Sequence, residues 1–257
     1  MSPSRRSLLA ATAATLLLPT GVSIAADYPR LIERSKPSVV LVGTYAETDS
    51  PRFGFSGTGF VVGDGNLAVT NAHVLPPPSR ADGVERKIVI QLPAGRGRWT
   101  MRSCSVVTLD RPHDLALLRF DGPAAPALQL APAEQVREGL EVAFMGFPLG
   151  NALGFAPVTH RAMISSIVPI AQPQGGAQGL NESAIRRLRE GPFEVLQLDG
   201  TAYPGNSGGP VFDAETGLVV GVINMVLVKG SKESALSHPS GISYAIPSQV
   251  LARLLMP

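Results

Sequence analysis

Short apolar runs separated by turn residues fill most of this chain. Leu31 to Lys36 reads as a short helix closed by Pro37, and Val39 to Thr44 as a first strand. Strands are then predicted at Gly57 to Val62, Leu67 to Thr70, Lys87 to Leu92, Arg98 to Leu109 and Leu115 to Phe120, with Gly63-Asp64-Gly65 as one of the turns. Asp121 to Pro132 is rich in Ala and Pro, lacks a pattern of its own, and is the best linker. A second series follows at Glu141 to Gly146, Val158 to Ile170, Glu194 to Leu198, Pro210 to Phe212, Leu218 to Val228 and Ile242 to Ile246. From Ser248 the residues Val250, Leu251, Leu254 and Leu255 share one helical face. The pattern therefore predicts an all-β chain in two halves, residues 27–130 and 131–257, closed by a C-terminal helix. It is interrupted at 171–192 by a Gln/Gly/Pro-rich stretch running into Asn181 to Glu190, which carries Arg186, Arg187 and Arg189 and stops at Gly191-Pro192.

The first 26 residues have another character. Arg5 and Arg6 precede an apolar run from Leu8 to Leu18, and small residues near Ala25 and Ala26 suit cleavage, so the segment reads as an export signal. Ser4-Arg5-Arg6-Ser7-Leu8-Leu9 resembles a twin-arginine signal, which implies a bacterial protein exported to the periplasm or secreted. The run ends at Pro19, short of the ~20 residues a membrane span needs, and no later stretch qualifies.

Composition narrows the picture. With 27 Gly and 23 Pro in 257 residues the chain favours turns, while 44% apolar and 16% charged residues allow a large core and exclude a disordered tail. Of its 22 basic residues, losing Arg5 and Arg6 leaves 20 against 20 acidic, a neutral balance that argues against nucleic acid as a partner. Cys104 is alone, so an internal disulfide is excluded, and its apolar, β-branched surroundings mark it as a buried thiol rather than a nucleophile. His113, His160 and His238 lack metal-ligand spacing, and no metal or other cofactor is expected. His113 is expected on a strand beside Asp114, facing the surface, and Asp64, Asp110 and Asp199 at turns or strand ends.

Tyr203 to Pro210, YPGNSGGP, carries the chemistry. Glycines on both sides of Ser207 let the backbone turn sharply, exposing the hydroxyl and aiming main-chain N–H groups at one point; those of Gly205 and Ser207 are the natural oxyanion donors. A hydroxyl is a weak nucleophile until an imidazole takes its proton, and the imidazole needs a carboxylate to fix its tautomer. His73 in VTNAHVL and Asp114 in PHDLALL supply both, so His73, Asp114 and Ser207 occur in the order His, Asp, Ser, divided between the two halves.

The segments LIERSKPSVVLV, SGTGFVV, VTNAHVL, HDLALLRF, VAFMGFPLG, LQLDGTAYPGNSGGPVF and GISYAIPSQVL, in this order, resemble the trypsin-like serine peptidases of the HtrA (DegP-like) group, the bacterial branch of the chymotrypsin fold. The resemblance implies two six-stranded antiparallel β-barrels and peptide-bond hydrolysis, with His73 as base, Asp114 as its orienter and Ser207 as nucleophile. It places Ile223, Asn224, Met225, Val226 and Ser243 along the pocket for the side chain preceding the cut bond. Val226 shortens that pocket and no acidic residue lies between Asp199 and Ser207, so cleavage after small or medium aliphatic residues is expected. Neutral Asn206, where digestive relatives carry aspartate, argues against activation by a newly cut N-terminus.

Other departures bear on assembly and control. The chain stops after the closing helix without room for a PDZ domain, and Ala46 to Ser56 is too short for a loop that links trimers into cages. The oligomeric state is left open, a trimer being among the assemblies the resemblance allows. The 171–192 insert falls where HtrA proteins have a sensor loop, and its arginines suggest regulation or an acidic partner. Polypeptide is the expected substrate, in quality control or processing in the cell envelope. The alternatives are a polypeptide-binding, chaperone-like module that does not cut, and an esterase on the same three residues.

Overall fold

A computed structural model of the chain describes residues 26–76, 84–95, 97–150, 154–170, 193–224 and 241–256. The export signal up to Ala25, the 171–192 insert, His238, and the pocket residues Met225 and Val226 lie outside the described residues.

Helix α1 (Tyr28–Ser35) begins earlier than its apolar residues suggest. Asp27 caps it by accepting a hydrogen bond from the Arg30 N–H at 3.1 Å, and Pro29 sits in the first turn, where its missing N–H costs nothing. Strands β1 (Val39–Tyr45), β2 (Phe53–Val62), β3 (Leu67–Asn71), β4 (Lys87–Pro93), β5 (Trp99–Asp110) and β6 (Leu115–Phe120) close into a barrel in the order β1-β2-β3-β6-β5-β4. Strands β7 (Glu141–Gly146), β8 (Val158–Ile170), β9 (Phe193–Leu198), β10 (Pro210–Asp213), β11 (Val219–Asn224) and β12 (Ser243–Pro247) close into a second, in the order β10-β11-β12-β9-β8-β7. Helix α2 (Ser248–Leu255) follows directly. The fold is thus the predicted pair of six-stranded antiparallel barrels with a C-terminal helix.

Alternation along the strands explains why so many read as unbroken apolar runs. In β1 and β2, Val40, Val42 and Val61 fill the first barrel with Ile90, Leu118 and Phe120, while Val39, Leu41, Phe60 and Val62 face the other way. That second face is also buried, because it meets Ala143, Met145, Phe212, Val222 and Ile246 on the outside of the second barrel. Leu31 of α1 and Leu251 of α2 join the same seam cluster, and the Phe147 ring meets Phe55 and Trp99 edge-on at 6.4 and 5.5 Å. The second barrel has its own interior of Val142, Phe144, Ile164, Leu196, Val211, Val220 and Ile223. Between the barrels, Leu128 N–H bonds Val61 O at 2.9 Å and Ala131 N–H bonds Val219 O at 2.8 Å, so this stretch touches one barrel and then the other.

Candidate active site

β3 and β6 are neighbours, with Asn71 opposite Leu115, so the residues after one strand and before the other are delivered to the same end of the barrel. His73 lies in a single 3-10 turn, Ala72–Val74, directly after β3. Asp114 precedes β6 with φ 54°, the left-handed region that costs a non-glycine residue roughly 1–2 kcal/mol. From there its carboxylate takes His73 at two points: Oδ1 accepts the His73 backbone N–H at 2.8 Å and Oδ2 meets His73 Nδ1 at 2.6 Å. A carboxylate can only accept, so Nδ1 carries the proton and Nε2 is left as the basic nitrogen. The Asp114 carbonyl accepts from Ala72 N–H and Asn71 Nδ2, both at 3.1 Å. Asn224 Nδ2, at the end of β11 in the other barrel, donates to Asp114 Oδ2 at 2.8 Å.

Ser207 comes to the same seam from the second barrel. Its loop makes successive turns, Asn206 N–H to Tyr203 O and Gly209 N–H to Asn206 O, both 2.9 Å. Gly205 has φ 103° and Gly208 φ 85°; a Cβ on the first would collide with Phe147 O and on the second with Thr58 O. Thr58 N–H on β2 donates to Ser207 O at 2.9 Å, which ties the loop to the first barrel. A Cβ on Gly57 would lie 2.8 Å from Val74, the neighbour of His73, and 3.1 Å from Ser207 O. The Val74 side chain, next to His73, and the Ser207 backbone thus both pack against β2. Ser207 itself is 6% exposed.

The donors beside Ser207 are oriented from both barrels. Pro204 O accepts the Leu149 N–H at 2.7 Å, and since a trans peptide sets its C=O and N–H in opposite directions, the Gly205 N–H faces away from Leu149. Thr58 Oγ1 donates to Gly205 O at 2.6 Å and accepts the Phe147 N–H at 3.1 Å, fixing the next peptide plane. Asn206 is fully buried, with Nδ2 3.5 Å from His160 Nε2. The His160 ring stacks on Phe144 at 4.7 Å and 14°, and burial holds its pKa below the usual value.

The expected pocket residues have defined engagements. Ile223 is buried in the core of the second barrel, Asn224 turns its amide to Asp114, and Ser243 Oγ donates to Gly200 O at 2.5 Å and accepts the Ala202 N–H at 2.7 Å. The reading of His113 needs correction. β6 begins at Leu115, so His113 stands in the preceding turn rather than on a strand, and instead of facing solvent its half-buried ring bonds Asp110 and meets Phe193 edge-on at 5.0 Å. Asp64 caps a turn through Asn66 N–H at 3.0 Å, and Asp199 accepts the Met163 N–H at 2.5 Å.

Sequence reasoning missed Thr58 as a clamp on the Ser207 loop and Asn224 as a partner of Asp114. Asn224 is the lone polar side chain of an apolar strand, a signal that could have found it, whereas Thr58 shares its strand with Ser56 and nothing in the sequence singles it out. Among the described residues no group of His, Cys, Asp and Glu could hold a metal ion, and no helix is long and apolar enough to cross a membrane.

Known proteins similar to this chain are numerous. Residues 57–222 match the family described as "Trypsin-like peptidase domain". Serine protease HTRA3 of Homo sapiens is 27% identical over 231 residues, 88% of this chain and 43% of its own length. Mitochondrial serine protease HTRA2 of Bos taurus is 31% identical over 229 residues, again 88% of this chain and 42% of its own. This chain therefore spans less than half the length of these relatives. Among solved structures, Deg5 superposes with a TM-score of 0.63 at 23% identity, covering 88% of this chain and 90% of that one. An HtrA-type protease solved with a tripeptide gives 0.61 at 24%, covering 89% of this chain and 62% of that one. Two barrels, a histidine gripped by an aspartate, and a glycine-flanked serine at their seam accompany a family match across most of the described chain: the chain belongs to the trypsin-like peptidase family, with its relatives among the HtrA serine proteases.

Proposed function

We propose that this chain is a serine endopeptidase in which His73 is the general base, Asp114 orients it, Ser207 is the nucleophile, and the N–H groups of Gly205 and Ser207 form the oxyanion hole. The observation that carries the reading is the two-point grip of Asp114 on His73, which leaves Nε2 as the free base at the seam where the Ser207 loop is tied down. Nε2 takes the Ser207 proton as Oγ attacks the peptide carbonyl, and the oxyanion that forms is met by the two N–H groups. Nε2 then returns the proton to the leaving amine, and water repeats the sequence to release the acyl group. Asp114 stays ionised throughout and steadies the imidazolium, with Asn224 sharing its charge.

The finer reading is work on polypeptides in the bacterial cell envelope, after export directed by residues 1–26, with small or medium aliphatic side chains preferred before the cut bond. Fast turnover of substrates with Arg or Phe there would overturn the preference. The reaction itself is tested by mass spectrometry after exposure to a fluorophosphonate, with Ser207→Ala alongside. A single adduct on Ser207, absent from the variant, together with a fall in turnover of at least ~10⁴-fold, is the expected result. An adduct that persists in the folded variant would remove Ser207 from its role.

A further inference from the structure

Asp114 reaches His73 only because its backbone holds a conformation that L-residues avoid, and such a conformation lasts where the surroundings over-determine it. On its C-terminal side the Asp114 carbonyl is fixed by Ala72 N–H and Asn71 Nδ2. On its N-terminal side the described hydrogen bonds are the 3.2 Å bond from Asp114 N–H to Arg111 O and a clasp formed by the residues just upstream. Asp110, the last residue of β5 and the partner of Leu115 across the ladder, takes His113 at two points: Oδ1 accepts its backbone N–H at 3.2 Å and Oδ2 meets Nδ1 at 2.7 Å. This repeats the grip of Asp114 on His73, backbone N–H to one carboxylate oxygen and Nδ1 to the other. Burial works to raise the Asp110 pKa, yet the bonds from His113 outweigh it and hold the carboxyl below its usual value. The His113 ring also meets Phe193 of the second barrel edge-on at 5.0 Å.

We propose that His113 is a positioning residue: clasped by Asp110 and backed by Phe193, it locks the turn that puts Asp114 into its left-handed conformation and so aims the carboxylate at His73. The inference rests on the peptidase reading for its kinetic consequence, not for its geometry. Because Nδ1–H is the donor, the clasp survives whether His113 is neutral or charged.

Two variants separate the hydrogen bond from the packing. His113→Phe keeps a ring for Phe193 but has no donor; His113→Asn loses the ring but places an amide N–H near the site of Nδ1. Turnover of an unstructured polypeptide is measured for both, along with the far-downfield proton signal of His73 Nδ1–H, assigned by its loss in His73→Ala. The expected result is a kcat lower by on the order of ten- to a hundredfold in His113→Phe with KM little changed, a displaced proton signal, and recovery of both in His113→Asn. Wild-type behaviour in His113→Phe, or an equal fall in both variants, would overturn the role of the clasp. A wild-type chain without turnover whose proton signal still responds to His113→Phe would overturn the peptidase reading and support the clasp; without that response, both fall.

Discussion

Thr58 has one hydroxyl and two duties. It donates to Gly205 O and accepts from Phe147 N–H, and since both Thr58 and Phe147 are fully buried, that N–H has no water to turn to. Thr58→Val conserves shape and leaves both partners unpaired, at a cost of roughly 1–3 kcal/mol. Under the peptidase reading one of them is the peptide leading out of the proposed oxyanion donor, so kcat should fall more than KM rises; a denaturation midpoint and kinetics like the wild type would refute the clamp. Residues of this kind explain what the sequence could and could not disclose. The pairing of His73 with Asp114 and the sharp glycine turn around Ser207 were legible because residue type and order announce them. Thr58 and Asn224 were not, since their partners lie 147 and 110 residues away along the chain. His113 was misread for a local reason: a turn intervenes before β6, and with it the alternation of a strand does not apply.

At the scale of elements, periodicity and turn residues located every strand among the described residues, and the differences lie at the ends. α1 started early because a cap and a proline set its first turn, which apolar spacing does not register. β2 extends back to Phe53, where it pairs with Tyr45 beyond a register shift in β1. β5 offers a test of how firmly an outer strand is seated. Several of its side chains are exposed, but Cys104, opposite Phe120, is desolvated enough that its thiol is pushed up to about 12 from an ordinary 9.0. At pH 8 that lowers the thiolate fraction about a thousandfold, so native Cys104 should react with iodoacetamide slowly and the unfolded chain at once. Rapid labelling of the folded protein would mean that β5 opens locally.

For the whole molecule, the seam between barrels is the main core rather than a gap, since alternate residues of β1, β2 and β7, with Phe212 of β10 and Val219 and Val222 of β11, are committed to it. Global stability should report on His160, stacked on Phe144 beside Asn206. Its folded pKa lies below the ordinary 6.5, so below pH 6.5 the unfolded chain takes up a proton that the folded one resists. Stability therefore drops as the pH falls from 6.5 toward the folded value, and His160→Gln should flatten that part of a urea-midpoint curve; an unchanged slope would clear His160 of the effect.

The division of the site between two halves also has a consequence in time. His73 and Asp114 leave the ribosome with the first barrel, whereas Ser207 and the Asn224 that bonds Asp114 emerge only with the second. Under the peptidase reading, a nascent chain carries half of its machinery and nothing that can cut. Synthesis itself acts as the safety catch, released once the later strands find the earlier ones.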